Sequence, residues 1–174
     1  MKLLFISLGC DKNLVDSEEM LGMLAADGHE IVDDEDEAEV IIVNTCCFIG
    51  DAKEESVNTI LEMAEKKKAG TCKVLIVTGC MAQRYKKEIS EEIPEVDAIL
   101  GTTSYGDISK AVKEARAGRH FEEYKSIDFL PDISGKRMLT TGGHFAYLKI
   151  AEGCDKHCTY CIIPKLRGSY RSVP

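Results

Sequence analysis

Short apolar runs alternate along the chain with longer stretches whose apolar residues recur every three or four positions. Residues 3–8, 40–43, 74–77 and 96–100 are runs of a length that suits buried strands, and residues 29–32 predict a shorter one. Residues 13–26 predict a helix with Leu14, Leu21, Leu24 and Ala25 on one face and Gly28 as its stop. In residues 51–68, Val57, Ile60, Leu61 and Ala64 follow the i, i+3, i+4, i+7 pattern of a helix packed on one side. Lys66, Lys67 and Lys68 complement its carboxyl end, and Gly70 ends it. Residues 85–93 and 108–117 predict two further helices, closed by Pro94 and Gly118. The very acidic stretch 33–39 reads as a solvated loop.

Strands alternating with helices predict an α/β fold: an open, doubly wound parallel sheet covered on both faces, flavodoxin-like in outline. This unit is expected to occupy residues 1–118. Residues 119–143 are polar, with several glycines and Pro131, and read as a linker with room for a hairpin. A new strand at residues 144–151 then opens a second, incomplete domain over residues 144–174.

Composition narrows the picture. A 44% hydrophobic and 30% charged chain of 174 residues is ordinary for a globular protein with its own core. The net charge of −8 argues against a chain that coats nucleic acid non-specifically. The amino-terminal run is too short for a secretory signal and reads as a strand, and no run reaches membrane-spanning length. The expected location is therefore the cytoplasm, where the eight cysteines stay reduced and available to metals.

Three cysteines follow strands: Cys10 after the first, Cys46 after the third and Cys80 after the fourth. Ligands of open parallel sheets bind at the carboxyl ends of strands. These thiols, far apart in sequence, are thus expected at one edge. Each precedes a helix whose amino-terminal dipole favours thiolate, and Gly9 and Gly79 allow close backbone approach to an inorganic group. The competing reading is three small buried residues. Three thiolates without an obvious fourth ligand suit an iron–sulfur cluster with one open iron better than a closed zinc site. Cys47 is expected to be a packed spectator beside Cys46. Cys72, before the fourth strand, is expected at the opposite edge as a surface or packing residue.

The second group lies within residues 153–161 (GCDKHCTYC), where Cys154, Cys158 and Cys161 are spaced C-x3-C-x2-C. Zinc would need a fourth ligand, and His157, between two of the cysteines, is awkwardly placed to serve. A disulfide would leave one thiol unpaired. Three thiolates on a four-iron cluster leave one iron free to bind and activate a small molecule. After the motif, Lys165, Arg167 and Arg171 come with no acidic residue among them. They read as a solvated loop, or as contacts for an anionic group.

The C-x3-C-x2-C motif, with Tyr160 before its last cysteine, resembles the signature of radical S-adenosylmethionine enzymes. Together with the stretches SLGCDKNLVDSE (7–18), VNTCCFI (43–49), VTGCMAQR (77–84) and AYLKIAEGCDKHCTYCIIPKLRGSYRSVP (146–174), it resembles the methylthiotransferase family over the whole chain. The stretches around Cys10 and after Cys161 are similar to the branch that modifies a ribosomal protein.

The resemblance implies two four-iron four-sulfur clusters. One, on Cys154, Cys158 and Cys161, binds and cleaves S-adenosylmethionine, with Tyr160 at the cofactor; the other, an auxiliary cluster on Cys10, Cys46 and Cys80, presents sulfur. It implies methylthiolation of the β-carbon of an aspartate in small-subunit ribosomal protein S-twelve. The implied partners are an electron donor such as flavodoxin or ferredoxin and a sulfur donor, with no membrane. The alternatives are a tRNA adenosine methylthiotransferase, which alone would bring tRNA as partner, and an iron–sulfur electron carrier. The chain by itself is expected to be an inactive piece of such an enzyme.

Overall fold

In a computed structural model, which describes residues 1–131, 135 and 137–172, the expected alternation forms one parallel sheet. Its elements are β1 (Lys2–Ser7), α1 (Asp11–Ala26), β2 (Glu30–Ile31), β3 (Val40–Thr45), α2 (Gly50–Lys68), β4 (Val74–Gly79), α3 (Cys80–Arg84), α4 (Lys86–Glu92), β5 (Ala98–Leu100), α5 (Ile108–Arg116) and β6 (Phe121–Glu123). The order across the sheet is β2-β1-β3-β4-β5-β6, and every neighbouring pair is parallel. This is the doubly wound, flavodoxin-like arrangement. Its topological switch point lies between β1 and β3, where the winding reverses.

Strand alternation divides the core into two layers. Ile41, Val43, Leu75, Val77 and Ile99 face α2, α3 and α4, where they meet Ile60, Met63, Met81 and Ile89. Val40, Ile42, Val74, Ile76 and Leu100 face α1 and α5, where they meet Met20, Leu24, Ile108 and Val112. All six residues of β3 and of β4 are buried, as central parallel strands require.

Several differences from the sequence reading have simple causes. The stretch read as a linker contributes β6, because the backbone of β5 still has an edge to pair and residues 121–123 take it. The hairpin expected in that stretch falls partly on residues 132–134 and 136, outside the described residues. Residues 145–150 are not a strand. Among the described residues no strand pairs with them, and only β7 (Ala151–Glu152) forms, antiparallel to β8 (Arg171–Ser172), with the short helix α6 (Ile163–Arg167) between. The start of a barrel is not visible among the described residues. Leu61 lies outside the stripe that α2 buries and is 47% exposed; Ser56 and Met63 are buried instead.

The largest surprise is α1. Its inward face is not only Leu21 and Leu24 but also Asn13, Asp16, Ser17 and Glu18, while Leu14 and Ala25 are half-buried. Buried carboxylates need partners, and these partners come from the far end of the chain.

Candidate metal centre at the strand ends

Cys10, Cys46 and Cys80 follow β1, β3 and β4, three adjacent strands flanking the switch point, so one sheet edge carries all three. Cys10 is the amino-terminal cap residue of α1 and is exposed, Cys46 is buried, and Cys80 opens α3 and is buried.

A dense polar frame fixes this edge. Asn13 Nδ2 donates to the carbonyl of Leu8, 2.9 Å away, and to that of Thr45, also at 2.9 Å. Asn44 Nδ2 donates to the carbonyl of Asn13 at 3.0 Å and to Ser17 Oγ at 2.9 Å. The Thr45 hydroxyl donates to the Thr78 carbonyl at 2.5 Å. Ser56 Oγ accepts from the Cys46 amide at 3.0 Å and donates to its carbonyl at 2.8 Å. The Cys80 thiol donates to Asn13 Oδ1 at 3.9 Å.

Two glycines make the approach possible. Gly9 has φ +94°, and a Cβ there would sit 2.6 Å from Cys46 Cβ and 2.9 Å from its Sγ. Gly79 has φ +93°, and a Cβ there would strike Asn44 Oδ1 and come within 2.5 Å of the Thr45 carbonyl. Side chains rarely adopt such backbone, so both positions are sterically closed to anything larger.

Cys47 is buried with its side chain in the core layer under α2 and α3. Burial pushes its thiol up from the usual range. Cys72 is packed in the same layer, its thiol donating to the Val74 carbonyl at 3.1 Å. Burial drives the Cys80 thiol up to about 12, against the opposing pull of Arg167.

The other group is built differently. Cys158 is exposed, Cys154 and Cys161 are half-buried, and Tyr160 is 86% exposed. His157 adopts φ 48°, and the Cys161 amide donates to the Cys158 carbonyl at 3.0 Å, so the motif is a tight loop. All eight cysteines are free thiols. Among the described residues, no three His, Cys, Asp or Glu side chains are gathered closely enough to hold a single metal ion. A cluster spaces its ligand sulfurs more widely than one ion does. The strand-end thiols, with the backbone of Gly9 and Gly79 beside them, are of the donor type such a cluster takes.

Arg167, read in the sequence as part of a solvated loop or an anion contact, is 2% exposed. Its anionic contacts are the protein's own: Asp16 Oδ2 at 2.9 Å and Glu152 Oε2 at 2.9 Å. It also donates to Asn13 Oδ1 and lies beside the Cys80 thiol, whose ionisation it favours. Lys149 pairs with Asp16, and with Glu152 at 3.5 Å; Lys12 reaches Glu152 at 3.4 Å. Burial opposes the charge on Glu152, but Arg167, Lys149 and Lys12 together push its carboxyl down to about 2. Arg137 meets Glu18 at 2.8 Å. Sequence reasoning missed this network. The signal was there, since Asn13, Asp16 and Ser17 continue the helical stripe of Met20, Leu21 and Leu24.

No helix among the described residues is long and apolar enough to cross a membrane. Residues 2–101 match the family described as "Uncharacterized protein family UPF0004". The chain is 64% identical, over all of its length, to "Ribosomal protein uS12 methylthiotransferase RimO" of Lachnoclostridium phytofermentans, of which it covers 40%. It is 53% identical over 99% of its length to the protein so named in Clostridioides difficile, covering 39% of it. It is 51% identical, again over 99% of its length, to that of Trichlorobacter lovleyi, covering 39%. The chain thus spans about 40% of the length of the curated relatives it matches. A doubly wound sheet with cysteines at three strand ends, a second cysteine loop and these identities place the chain in the UPF0004 family, the amino-terminal domain of the methylthiotransferases, and in its RimO-type branch.

Proposed function

We propose that the protein to which these residues belong is a radical S-adenosylmethionine methylthiotransferase acting on the β-carbon of an aspartate of ribosomal protein uS12. The observation that carries this reading is the collection of Cys10, Cys46 and Cys80 at the switch-point edge, in a chain 64% identical to a uS12 methylthiotransferase. Cys10, Cys46 and Cys80 are the proposed ligands of an auxiliary four-iron four-sulfur cluster, and Cys154, Cys158 and Cys161 those of a second. Tyr160 is proposed to lie against S-adenosylmethionine. Bound there, these groups supply the one-electron and sulfur chemistry that an unactivated C–H bond demands.

The protein's own part is positional. Gly9 and Gly79 keep the strand-end backbone clear, while Asn13 and Asn44 tie α1 to the ends of β1 and β3, and the Thr45 hydroxyl ties β3 to β4. Cys46 rather than Cys47 is the proposed ligand, because the Cys46 side chain lies against Gly9, the residue before Cys10, while Cys47 packs in the core layer under α2. Residues 1–118 are proposed to carry the first cluster and residues 144–174 to open the radical domain. Within this reading the 174 residues bind the first cluster without turnover on their own. An electron donor of the flavodoxin or ferredoxin type and a sulfur donor serve the enzyme in the cytoplasm.

The test is anaerobic reconstitution with iron and sulfide, followed by metal and acid-labile sulfide analysis. Single Cys→Ala changes at positions 10, 46 and 80 are each expected to lose one cluster's iron, and Cys47→Ala to lose none. A protein that takes up zinc without sulfide would overturn the reading. Mass spectrometry of uS12 incubated with a protein of the relatives' full length, looking for one added methylthio group, tests the substrate.

A further inference from the structure

The contacts of Arg167 lead toward both cysteine groups. On one side its partner Asn13 ties the carbonyl of Leu8, two residues before Cys10, to that of Thr45, immediately before Cys46. The same Asn13 oxygen accepts from the Cys80 thiol. On the other side its partner Glu152 stands two residues before Cys154, and the carbonyl of Gly168, the next residue after Arg167, accepts from the Cys154 amide at 3.1 Å. Leu166 anchors the same turn by packing into the core layer beneath α3. Its carbonyl accepts from the Thr102 hydroxyl at 2.8 Å.

We propose that Arg167 is a positioning residue that registers the loop bearing Cys154, Cys158 and Cys161 against the strand ends bearing Cys10, Cys46 and Cys80, and that sets a fixed positive charge beside the Cys80 sulfur. The proposal rests on the reading of both cysteine groups as cluster ligands.

Three features carry it. The first is geometry: a guanidinium presents a planar fork, and this one spends two of its nitrogens on Asp16, Glu152 and Asn13, which come from two segments of the chain. An ammonium at the same place could keep the charge but not the fork. The second is charge. Among the described residues, Lys12, Lys149 and Arg167 are ion-paired with Asp16 and Glu152, three cations sharing two carboxylates. Glu19 also lies near Lys149, and burial raises its carboxyl from the usual range. Of these cations, Arg167 lies where a deprotonated Cys80 would bring a negative charge. The third is burial. Isolated from water, that charge is weakly screened and acts on its neighbours more strongly than a surface arginine could. A buried ion cluster of this kind is a poor stabiliser compared with apolar packing, and its better-attested use is to specify one arrangement among several.

The experiment uses the 174-residue chain carrying Cys154→Ala, Cys158→Ala and Cys161→Ala, so that only the strand-end cluster is present after anaerobic reconstitution. The midpoint potential is read in this parent and with Arg167→Met or Arg167→Lys added. Removing a neighbouring positive charge disfavours the reduced, more negative cluster. Arg167→Met is therefore expected to shift the potential to more negative values, and Arg167→Lys to leave it near the parent's. Hydrogen exchange on the metal-free chains reads registration. Both substitutions are expected to speed exchange of the Cys154 and Gly168 amides at least tenfold while the β3 and β4 amides stay protected.

Parent potential together with parent exchange in Arg167→Met would overturn the proposal. If Arg167→Met fails to fold by circular dichroism, Arg167→Lys decides: unchanged exchange there sinks the registration. If the parent takes up no iron and sulfide, the ligand reading fails and the electrostatic half falls with it. Exchange on the metal-free chain still decides the other half.

Discussion

The two cysteine groups are opposites in construction. Cys10, Cys46 and Cys80 are brought together by the pairing of three strands, and Cys46 and Cys80 are buried in a hydrogen-bonded frame. Cys154, Cys158 and Cys161 need no fold to be neighbours, and they lie on a loop that exposes Cys158 and Tyr160. The first site is a property of the sheet. The second is a property of a short peptide that the sheet holds in place through α1. One is thus vulnerable to anything that disturbs backbone register, the other to anything that loosens Asp16, Glu152 and Arg167.

Reactivity gives the widest separation. With its thiol raised from 9.0 to about 12, Cys80 carries on the order of a thousandfold less thiolate than an ordinary cysteine near neutral pH. In the metal-free chain, mass-spectrometric timing of alkylation is expected to show Cys10 and Cys158 modified long before Cys80. Equal rates would erase the contrast between a built site and an open one. Gly79→Ala comes next: its strained φ and its collision with Asn44 and Thr45 are expected to cost about 3 kcal/mol or more, read as a lowered midpoint in urea. The same substitution at Gly106, where a Cβ meets nothing, is expected to be nearly neutral.

Acid attacks the other half. Glu152 has a carboxyl depressed from 4.5 to about 2, so its contribution is complete above pH 4.5 and is lost as pH falls toward 2. That loss is at most on the order of 3 kcal/mol. Exchange of the Cys154 amide is expected to accelerate over that window before the β3 amides respond. Simultaneous loss would mean that the loop and the sheet unfold as one unit. The smallest effect expected is Leu61→Ser, within about 0.5 kcal/mol, because that side chain is largely in water already.

The sheet was legible because its strands are apolar runs bounded by turns, and periodicity reports that directly. Cys10, Cys46 and Cys80 were legible as a group because strand ends in a parallel sheet share an edge. Residues 121–123 were not legible as a strand: Phe121-Glu122-Glu123 is too short and too charged to signal burial, and edge pairing alone recruits it. Residues 145–150 misled in the opposite sense. Their apolar side chains suggested a buried strand, yet Leu148 is 82% exposed while Lys149 between its neighbours is buried among carboxylates. Composition cannot announce such an inversion, because it depends on Asp16 being turned inward more than a hundred positions earlier in the chain. The buried Arg167 was hidden for the same reason: a cation in a polar tail looks solvated until its partners are located.

The parallel pairing of β1, β3 and β4 also sets an order of events in time. Cys10 and Cys46 are 36 positions apart, and Cys46 and Cys80 are 34 apart. Pairings over such separations form slowly, since loop closure must precede any reward from contact. The strand-end thiols therefore do not exist as a group on a nascent chain, whereas Cys154, Cys158 and Cys161 emerge together. On the proposed reading, a cluster at the first group would need a folded acceptor, whereas the second group's thiols are neighbours before folding.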